Sequence, residues 1–314
     1  MTSVFRTAES FPDGARVAFI GDSITAAINY CARVVSHYRN HLPERKISFH
    51  CAGISGSSMT SALLYYDSYI ASFRPTHATI MLGVNDSCRD YLRTMEDAEK
   101  RNTMLENAFQ RYVSLGRELL DRLQADGVEV TLCTPAPYAE FFETGEAALP
   151  GGYALIRRYA EEVRRMANER GLGLIDFHSF LSERYMTEAL YNPDHVHPND
   201  RGHYRMAECL LASQGLTADP YMPIEQIREA DRPFDEWCTI SGKIAGLYAV
   251  EWMVIRNYGL PTAEKLALVQ SYIDDGRYNE SPYFKNITKQ FMENKPREPE
   301  MLARLDALRK EMIR

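Results

Sequence analysis

The feature that most constrains the fold is an alternation, over the first part of the chain, of short apolar runs with longer helical patterns. The apolar runs have the length of strands, which we predict at Val17–Ile20, Ile47–His50, Ala78–Leu82, Val128–Cys133 and Leu172–Ile175. Apolar residues at helical spacing predict helices over Ala26–Leu42, Glu96–Ala125, Tyr153–Arg170 and Asp200–Ser213. Strands that alternate with helices form parallel sheets covered on both faces. We therefore expect a three-layer α/β/α sandwich, with a mostly parallel sheet, up to about residue 215.

The last part of the chain has a different character, because no strand pattern follows Ile224. Helical patterns cover Asp235–Tyr258, Thr262–Ile273, Tyr283–Glu293 and Pro299–Ile313. We therefore divide the chain into a sheet domain, residues 1–215, and a helical C-terminal extension, residues 216–314. The stretch "TISGKIAGLYAVEWMVI" is too apolar for a solvated helix. We expect the extension to pack on the sheet domain beside the active-site mouth and to contribute to a homodimer.

Composition and charge exclude several classes of partner. The formal net charge of −7 argues against nucleic acid and against an anionic membrane surface. No apolar run approaches the ~18–20 residues of a membrane span, and the N-terminus lacks the pattern of a secretory signal. Six cysteines without a CxxC pair favour reduced thiols in the core. We therefore expect a cytoplasmic protein.

Polar groups or glycines follow four of the predicted strands. Ser23 follows the first strand, Gly56 in "GISG" the second, and Asn85 the third. Asp194 and His197, three residues apart, follow the fifth. In a doubly wound sheet the carboxyl ends of the strands converge on one crevice, so these groups are expected to meet there.

Such a set has the groups that acyl transfer needs. A serine hydroxyl is a weak nucleophile until a base takes its proton, and His197 can do so near neutral pH. Asp194 can fix the tautomer of that histidine and stabilise its charged form. Main-chain N–H groups of Ser23 and Gly56, with the Asn85 amide, could stabilise an oxyanion.

Four blocks of this sequence resemble the signature blocks of the SGNH hydrolases, also called GDSL esterases/lipases. The blocks are Gly21-Asp22-Ser23-Ile24, Gly56, Gly83-x-Asn85-Asp86 and Asp194-x-x-His197-Pro198. The resemblance extends over residues 15–214 and implies a flavodoxin-like sheet and no metal or other cofactor. It also implies that Ser23 is the nucleophile, that Asp194 and His197 complete a triad, and that Ser23, Gly56 and Asn85 form the oxyanion hole. It says nothing about the extension.

Other interpretations of the same residues stay open at this stage. Ser23 could be a helix N-cap, and Gly53 competes with Gly56 for the oxyanion role. Asp194, His195, His197 and His203 could hold a metal ion, as in a metal-assisted hydrolase, and His195 is the second choice for the base.

Three aromatic residues follow the fourth strand. Tyr138, Phe141 and Phe142 could be packing residues or walls of a substrate pocket.

The function that we predict from these patterns is that of a serine esterase. Its substrate is a small-molecule ester with an acetyl or other short acyl group, carbohydrate esters included. One alternative is a non-catalytic carbohydrate-binding or scaffold protein on a hydrolase fold. A second, a phosphodiesterase or nucleotide-binding protein, lacks the glycine-rich phosphate loop and its lysine.

Overall fold

The centre of the molecule is a parallel sheet of five strands in the order β2-β1-β3-β4-β5. We describe it from a computed structural model, which covers residues 8–143, 145–256, 259–276 and 281–313. The strands are β1 (Arg16–Gly21), β2 (Ser48–Gly53), β3 (His77–Met81), β4 (Glu129–Cys133) and β5 (Gly173–Ile175). All five predicted strands are confirmed, with shifts of at most three residues at their ends. The order in which strands are added to the sheet reverses between β1 and β3: β2 lies on one side of β1, and β3, β4 and β5 lie on the other. Doubly wound sheets bind their ligands at such a switch point.

Helices cover both faces of the sheet and confirm the three-layer sandwich. They are α1 (Ser23–Ala26), α2 (Asn29–His41), α3 (Met59–Leu64), α4 (Tyr91–Thr94), α5 (Ala98–Ala125), α6 (Gly152–Arg170), α7 (Phe177–Ser182) and α8 (Asp200–Ser213). A π-helical turn, Tyr66–Ile70, and a 3-10 turn, Ala71–Phe73, follow α3. The short helices α3, α4 and α7 were not predicted, because each is too short to show a helical repeat of apolar residues.

The helix predicted over Ala26–Leu42 is two helices in the structure. Ile28 has a left-handed backbone, with φ of 55°, and separates α1 from α2. The prediction of one helix was wrong because the apolar pattern continues across this break. As a result, Ser23 lies on a one-turn helix of its own directly after β1.

After residues 216–223, which form neither helix nor strand, the regular elements described in the C-terminal extension are all helical. Its elements are α9 (Ile224–Glu229), α10 (Arg232–Val250), a π-helical segment (Glu251–Ile255), α11 (Thr262–Asp274), α12 (Pro282–Asn294), a 3-10 turn (Lys295–Arg297) and α13 (Glu298–Met312). The predicted end of the first long helix, Tyr258, lies outside the described residues. The helix instead changes to π geometry at Glu251.

The extension packs on the edge of the sheet formed by β2. Helices α10 and α13 both lie against this strand, and the Tyr248 ring stacks on the Tyr69 ring at 4.2 Å between centroids. Buried residues of the two parts, such as Val35 of the sheet domain and Leu305 of the extension, belong to one continuous core. The extension therefore has no separate core, and its expected packing on the sheet domain is observed. The homodimer stays a prediction.

One helix of the extension is long and apolar enough to cross a membrane. It runs from Arg232 to Ile255, 24 residues, and its most apolar stretch of 18 residues has a mean hydropathy of 1.2. The expectation that no apolar run approaches this length was wrong for this segment. Because 61% of that 18-residue stretch is buried inside the protein, packing within the chain accounts for its composition.

Candidate active site

Ser23 is the first residue of α1, immediately after the central strand β1. The helix is capped by the preceding residue, since the Asp22 carboxylate accepts a hydrogen bond from the Ile24 N–H at 3.0 Å. Ser23 is therefore not the N-cap, and its hydroxyl is available for another role. Asp22 is buried, and this burial raises the pKa of its carboxyl to about 6.

Asp194 and His197 lie in a tight loop between β5 and α8. An isolated antiparallel bridge between Tyr191 and Pro198 closes the loop. Within it, the Asp194 Oδ1 accepts hydrogen bonds from the main-chain N–H groups of Val196 and His197, each at 2.9 Å. The three-residue spacing noted in the sequence is thus the spacing of an Asx-type turn that presents both side chains together.

The three side chains form one chain of hydrogen bonds. Ser23 Oγ lies 2.7 Å from His197 Nε2, and His197 Nδ1 lies 2.5 Å from Asp194 Oδ2. Partial burial alone would raise the pKa of Asp194, but the hydrogen bonds from the His197 ring and from the two N–H groups lower it well below its usual value. Asp194 is therefore a carboxylate at neutral pH, and the Nδ1 of His197 carries a hydrogen towards it. That leaves Nε2 as the acceptor for the serine hydroxyl.

Two further predicted residues lie beside Ser23. Gly56 has φ of +75°, a left-handed backbone that favours glycine, and Asn85 follows the end of β3. The Asn85 amide donates one hydrogen to the Ser57 carbonyl at 2.8 Å. Since a side-chain amide has two hydrogens, one remains for another acceptor.

Gly53, the alternative to Gly56, has a packing role. A Cβ at Gly53 would lie 2.3 Å from the main-chain nitrogen of Ala26, so only glycine allows α1 to approach β2 this closely.

Asp86 braces the loop that carries Gly56. Its Oδ1 accepts a hydrogen bond at 3.0 Å from the N–H of Met59, the first residue of α3. Its other oxygen is buried without a hydrogen-bond partner among the described residues. Burial raises the pKa of Asp86 to about 7, although the Met59 hydrogen bond opposes the shift.

A cavity of about 260 Å³ opens above Ser23. It is lined by Ser23, Ser55, Gly56, Asn85, Arg89, Val196, His197, Met253 and Tyr283. Four of these residues, Ser23, Gly56, Asn85 and His197, were predicted site residues. The fifth, Asp194, adjoins the cavity through its hydrogen bond with His197. A larger cavity, of about 400 Å³, lies between α11 and α12, and its described lining includes no serine, histidine or cysteine.

Met253 and Tyr283 were missed by sequence reasoning. Both belong to the C-terminal extension, and no motif or strand end marks their positions.

The aromatic residues predicted as pocket walls do not line this cavity. Tyr138 is buried against Val196 and His195, and its hydroxyl accepts a hydrogen bond from the Leu149 N–H at 2.8 Å. Phe141 is exposed beside Tyr153, and Phe142 packs against the main core. We correct the prediction accordingly: Tyr138 supports the Asp194–His197 loop from beneath.

The alternative in which Asp194, His195, His197 and His203 hold a metal ion is not supported, since these residues form no such cluster in the described part of the chain. Both ring nitrogens of His195 lie within 2.9 Å of main-chain carbonyl oxygens, those of Ala139 and Glu146. His203 is buried and stacked on Tyr30, and burial lowers the pKa of its ring to about 3. These contacts also remove His195 as the second choice for the base.

Elsewhere, one group of three potential ligands occurs in the part of the chain that the structure describes. It consists of His37, His41 and Asp219, on α2 and on the segment after α8. None of the three lines the cavity above Ser23.

This fold and the residues at its sheet edge define an α/β/α hydrolase. The profile of the GDSL-like Lipase/Acylhydrolase family matches residues 19–205, more than half of the chain. The chain therefore belongs to this family, and it is a hydrolase of carboxylic esters. A curated relative, the acetylxylan esterase of Geobacillus stearothermophilus, is 25% identical over 220 residues, which cover 65% of this chain and 95% of the relative.

Solved structures support the fold. The acetylxylan esterase Axe2 from Geobacillus stearothermophilus has 24% sequence identity and a TM-score of 0.54, over 67% of this chain and 99% of its own. LAE5, an alpha/beta hydrolase enzyme from the metagenome of Lake Arreo, Spain, is 24% identical with a TM-score of 0.54, over 65% of this chain and 97% of its own. A gut microbial diltiazem-metabolizing enzyme is only 14% identical, but its TM-score is 0.77 over 98% of this chain and 97% of its own. The arrangement of sheet domain and extension thus has a counterpart in a known fold.

Proposed function

We propose that this esterase removes acetyl or other short acyl groups from small substrates, carbohydrate esters among them, by way of an acyl-enzyme. The observation that carries the proposal is the hydrogen-bond chain from Ser23 Oγ through His197 to Asp194, at 2.7 Å and 2.5 Å. Short acyl groups are favoured because the cavity above Ser23 has only about 260 Å³, below the size of most pockets for larger ligands. Carbohydrate as the alcohol part is favoured by the acetylxylan esterase relative.

In the first half of the reaction, His197 Nε2 takes the proton of the Ser23 hydroxyl while Oγ attacks the ester carbonyl carbon. Asp194 holds the imidazole ring in place and stabilises its positive charge. The tetrahedral intermediate places negative charge on the former carbonyl oxygen. We assign the N–H groups of Ser23 and Gly56 and the free hydrogen of the Asn85 amide as its donors.

Collapse of this intermediate breaks the bond to the alcohol oxygen, which receives the proton from His197. The acyl group is then bonded to Ser23 Oγ. In the second half, His197 takes a proton from a water molecule, whose oxygen attacks the acyl carbon. The second intermediate releases the carboxylic acid, and His197 returns the proton to Ser23. The net reaction is ester plus water to acid plus alcohol.

A fluorophosphonate probe tests the nucleophile, because it reacts only with an activated serine. We expect stoichiometric labelling of the wild type and none of Ser23→Ala. Failure to label the folded wild type would contradict the serine mechanism.

Turnover of nitrophenyl esters of increasing chain length tests the acyl group. We expect acetyl and propionyl esters to be the best substrates, with kcat/KM falling for longer chains. A panel of acetylated sugars compared with acetylated simple alcohols tests the other half of the substrate. If octanoyl esters were turned over as well as acetyl esters, the short-acyl proposal would be wrong.

A further inference from the structure

The C-terminal extension reaches the loop that carries Gly56. The π-helical segment Glu251–Ile255 places two successive side chains on this loop. Trp252 Nε1 donates a hydrogen bond to the Gly56 carbonyl at 3.0 Å, across 196 positions of sequence. The Met253 sulfur lies only 3.2 Å from the position that a Cβ on Gly56 would occupy. The extension thus contacts the very residue that is expected to stabilise the oxyanion.

Gly56 needs such contacts because its own backbone is permissive. With φ of +75° and no Cβ, its peptide groups can rotate more easily than those of other residues. The hydrogen bond from Trp252 holds the carbonyl of Gly56, and the Asn85 amide holds the next carbonyl, that of Ser57, at 2.8 Å. Trp252 thereby holds the peptide unit on the carbonyl side of Gly56. This limits rotation about the Gly56 Cα, the atom that joins the held unit to the peptide unit that carries the Gly56 N–H.

The π-helical segment is itself anchored by a buried group of charges. Glu251, at the start of the segment, pairs with Lys265 of α11 at 2.8 Å and with Lys295 of the 3-10 turn at 2.6 Å. Lys295 also pairs with Glu298 of α13 at 2.5 Å. Paired charges in a buried setting fix one geometry, because any shift would leave a charge unpaired. Three elements of the extension therefore determine where Trp252 lies.

Two residues of the extension also form part of the cavity wall. Met253 and Tyr283, the latter on α12, line the cavity together with Ser23 and His197. Tyr283 is 47% exposed, so its ring stands at the cavity mouth and offers an apolar face to a bound molecule. A ring at this place suits a ring-shaped alcohol part, such as a sugar.

We propose that the C-terminal extension completes the active site: Trp252 is a positioning residue for the Gly56 donor, and Met253 and Tyr283 contact the substrate. This inference rests on the proposed function, since it needs Ser23 chemistry and an oxyanion. It goes beyond the family match, which ends at residue 205. It predicts that changes in the extension alter catalysis without any change in the hydrolase motifs.

Trp252→Phe tests the positioning role, because it keeps an aromatic ring and removes the N–H donor. We expect kcat to fall about 5- to 50-fold, less than for loss of a direct oxyanion donor, with KM changed less than twofold. The matched control is Trp237→Phe on α10. Trp237 is fully buried, and its indole nitrogen has no hydrogen-bond partner among the described residues, so kcat should stay within twofold of wild type. If Trp252→Phe has the kcat of wild type, the positioning role is overturned.

Met253→Ala and Tyr283→Ala test the proposed contacts between the cavity wall and the substrate. We expect Tyr283→Ala to raise KM for acetylated sugars more than for acetylated simple alcohols, and Tyr283→Phe, which keeps the ring, to raise it less than Tyr283→Ala does. Met253→Ala should enlarge the cavity and raise kcat/KM for esters of longer acyl groups relative to acetyl esters. Unchanged ratios in both alanine variants would overturn the substrate contacts.

Labelling by a fluorophosphonate in the same variants keeps the two proposals separate. If the wild type labels at Ser23 while Trp252→Phe shows unchanged kcat and both alanine variants show unchanged substrate ratios, only the role of the extension fails. If folded wild type does not label, the serine mechanism itself fails, and the inference fails with it.

Discussion

The Arg309 guanidinium of the last helix lies 3.0 Å from the Nδ1 of His50, a buried residue of the edge strand β2. The same side chain donates to the Phe49 carbonyl at 3.1 Å. The other ring nitrogen of His50 donates to the Tyr69 carbonyl at 2.9 Å, so Nδ1 is free to accept from Arg309. Burial, with the nearby Arg309 charge, lowers the pKa of His50 to about 3. The extension is therefore joined to the sheet by directional bonds as well as by apolar packing.

Arg309→Ala should destabilise the protein by about 2–3 kcal/mol, because it leaves the buried acceptors on Phe49 and His50 without their donor. Urea unfolding of the variant and the wild type measures the difference. Arg304→Ala is the matched control on the same helix, since Arg304 pairs with Glu236 and Glu311 at the surface. Exposed ion pairs contribute little, so its loss of stability should be clearly smaller. Equal effects of the two variants would contradict the docking role of Arg309.

Ser23→Ala and His197→Ala should each lower ester turnover by several orders of magnitude, while the melting temperature stays close to that of the wild type. The groups act as a unit, so the double variant should be barely slower than either single one. Steady-state kinetics with a nitrophenyl acetate, supported by thermal unfolding, checks this. Near-normal turnover by Ser23→Ala would end the serine mechanism.

Asn85→Ala should lower kcat by about 100- to 1,000-fold, with a smaller change in KM. The reason is that the proposed hydrogen bond strengthens as negative charge forms on the carbonyl oxygen. Asn85→Asp, which keeps the shape but lacks both donors, should be at least as slow. The kinetic constants of the two variants are the measurement, and a rise in KM with kcat retained would argue for a role in substrate binding instead.

Asp86→Asn should change how stability depends on pH. Because burial raises the pKa of Asp86 to about 7, the folded protein keeps this proton at pH values where the unfolded chain has already lost it. The free energy of unfolding of the wild type therefore decreases progressively as the pH rises from about 4 to about 7. Asparagine cannot ionise, so the variant should gain stability relative to the wild type, on the order of 2–4 kcal/mol, between pH 4.5 and pH 8.

Urea unfolding of the wild type and of Asp86→Asn, at pH 4.5 and at pH 8, measures this difference in stability. The control is Asp90→Asn, since the Asp90 side chain is 69% exposed and its replacement should leave the pH dependence as in the wild type. Parallel curves for wild type and Asp86→Asn would show that Asp86 ionises equally in the folded and unfolded states.

Dialysis against a strong chelator should leave ester turnover unchanged. Every step that we propose uses the serine hydroxyl, the imidazole ring or an N–H donor, and none uses a Lewis acid. Turnover before dialysis, after dialysis and after addition of zinc or manganese is the measurement. Activity that disappears and returns with the metal would argue for a metal-assisted reaction.

The sequence by itself determined the sheet, the hydrolase motifs and the ends of the strands that carry them. This was possible because apolar runs and helical spacing are local signals, and because parallel topology brings the carboxyl ends of strands to one edge. Ser23, Asn85 and His197 could be placed near each other for that reason alone. The turn of Asp194 and His197 is also local, since the two residues are only three positions apart.

Only the tertiary structure decided which residues form the rest of the cavity wall. Tyr138 follows a strand, yet its side chain is buried in a small apolar cluster that includes Val196, and its hydroxyl accepts a hydrogen bond from the Leu149 N–H. Trp252 and Met253 lie in an apolar helix whose sequence gives no sign of a site. Their contact with Gly56 depends on how the extension packs against β2 and on the buried pairing of Glu251. Contacts between residues so distant in sequence arise from the packing of whole elements, which no local pattern encodes.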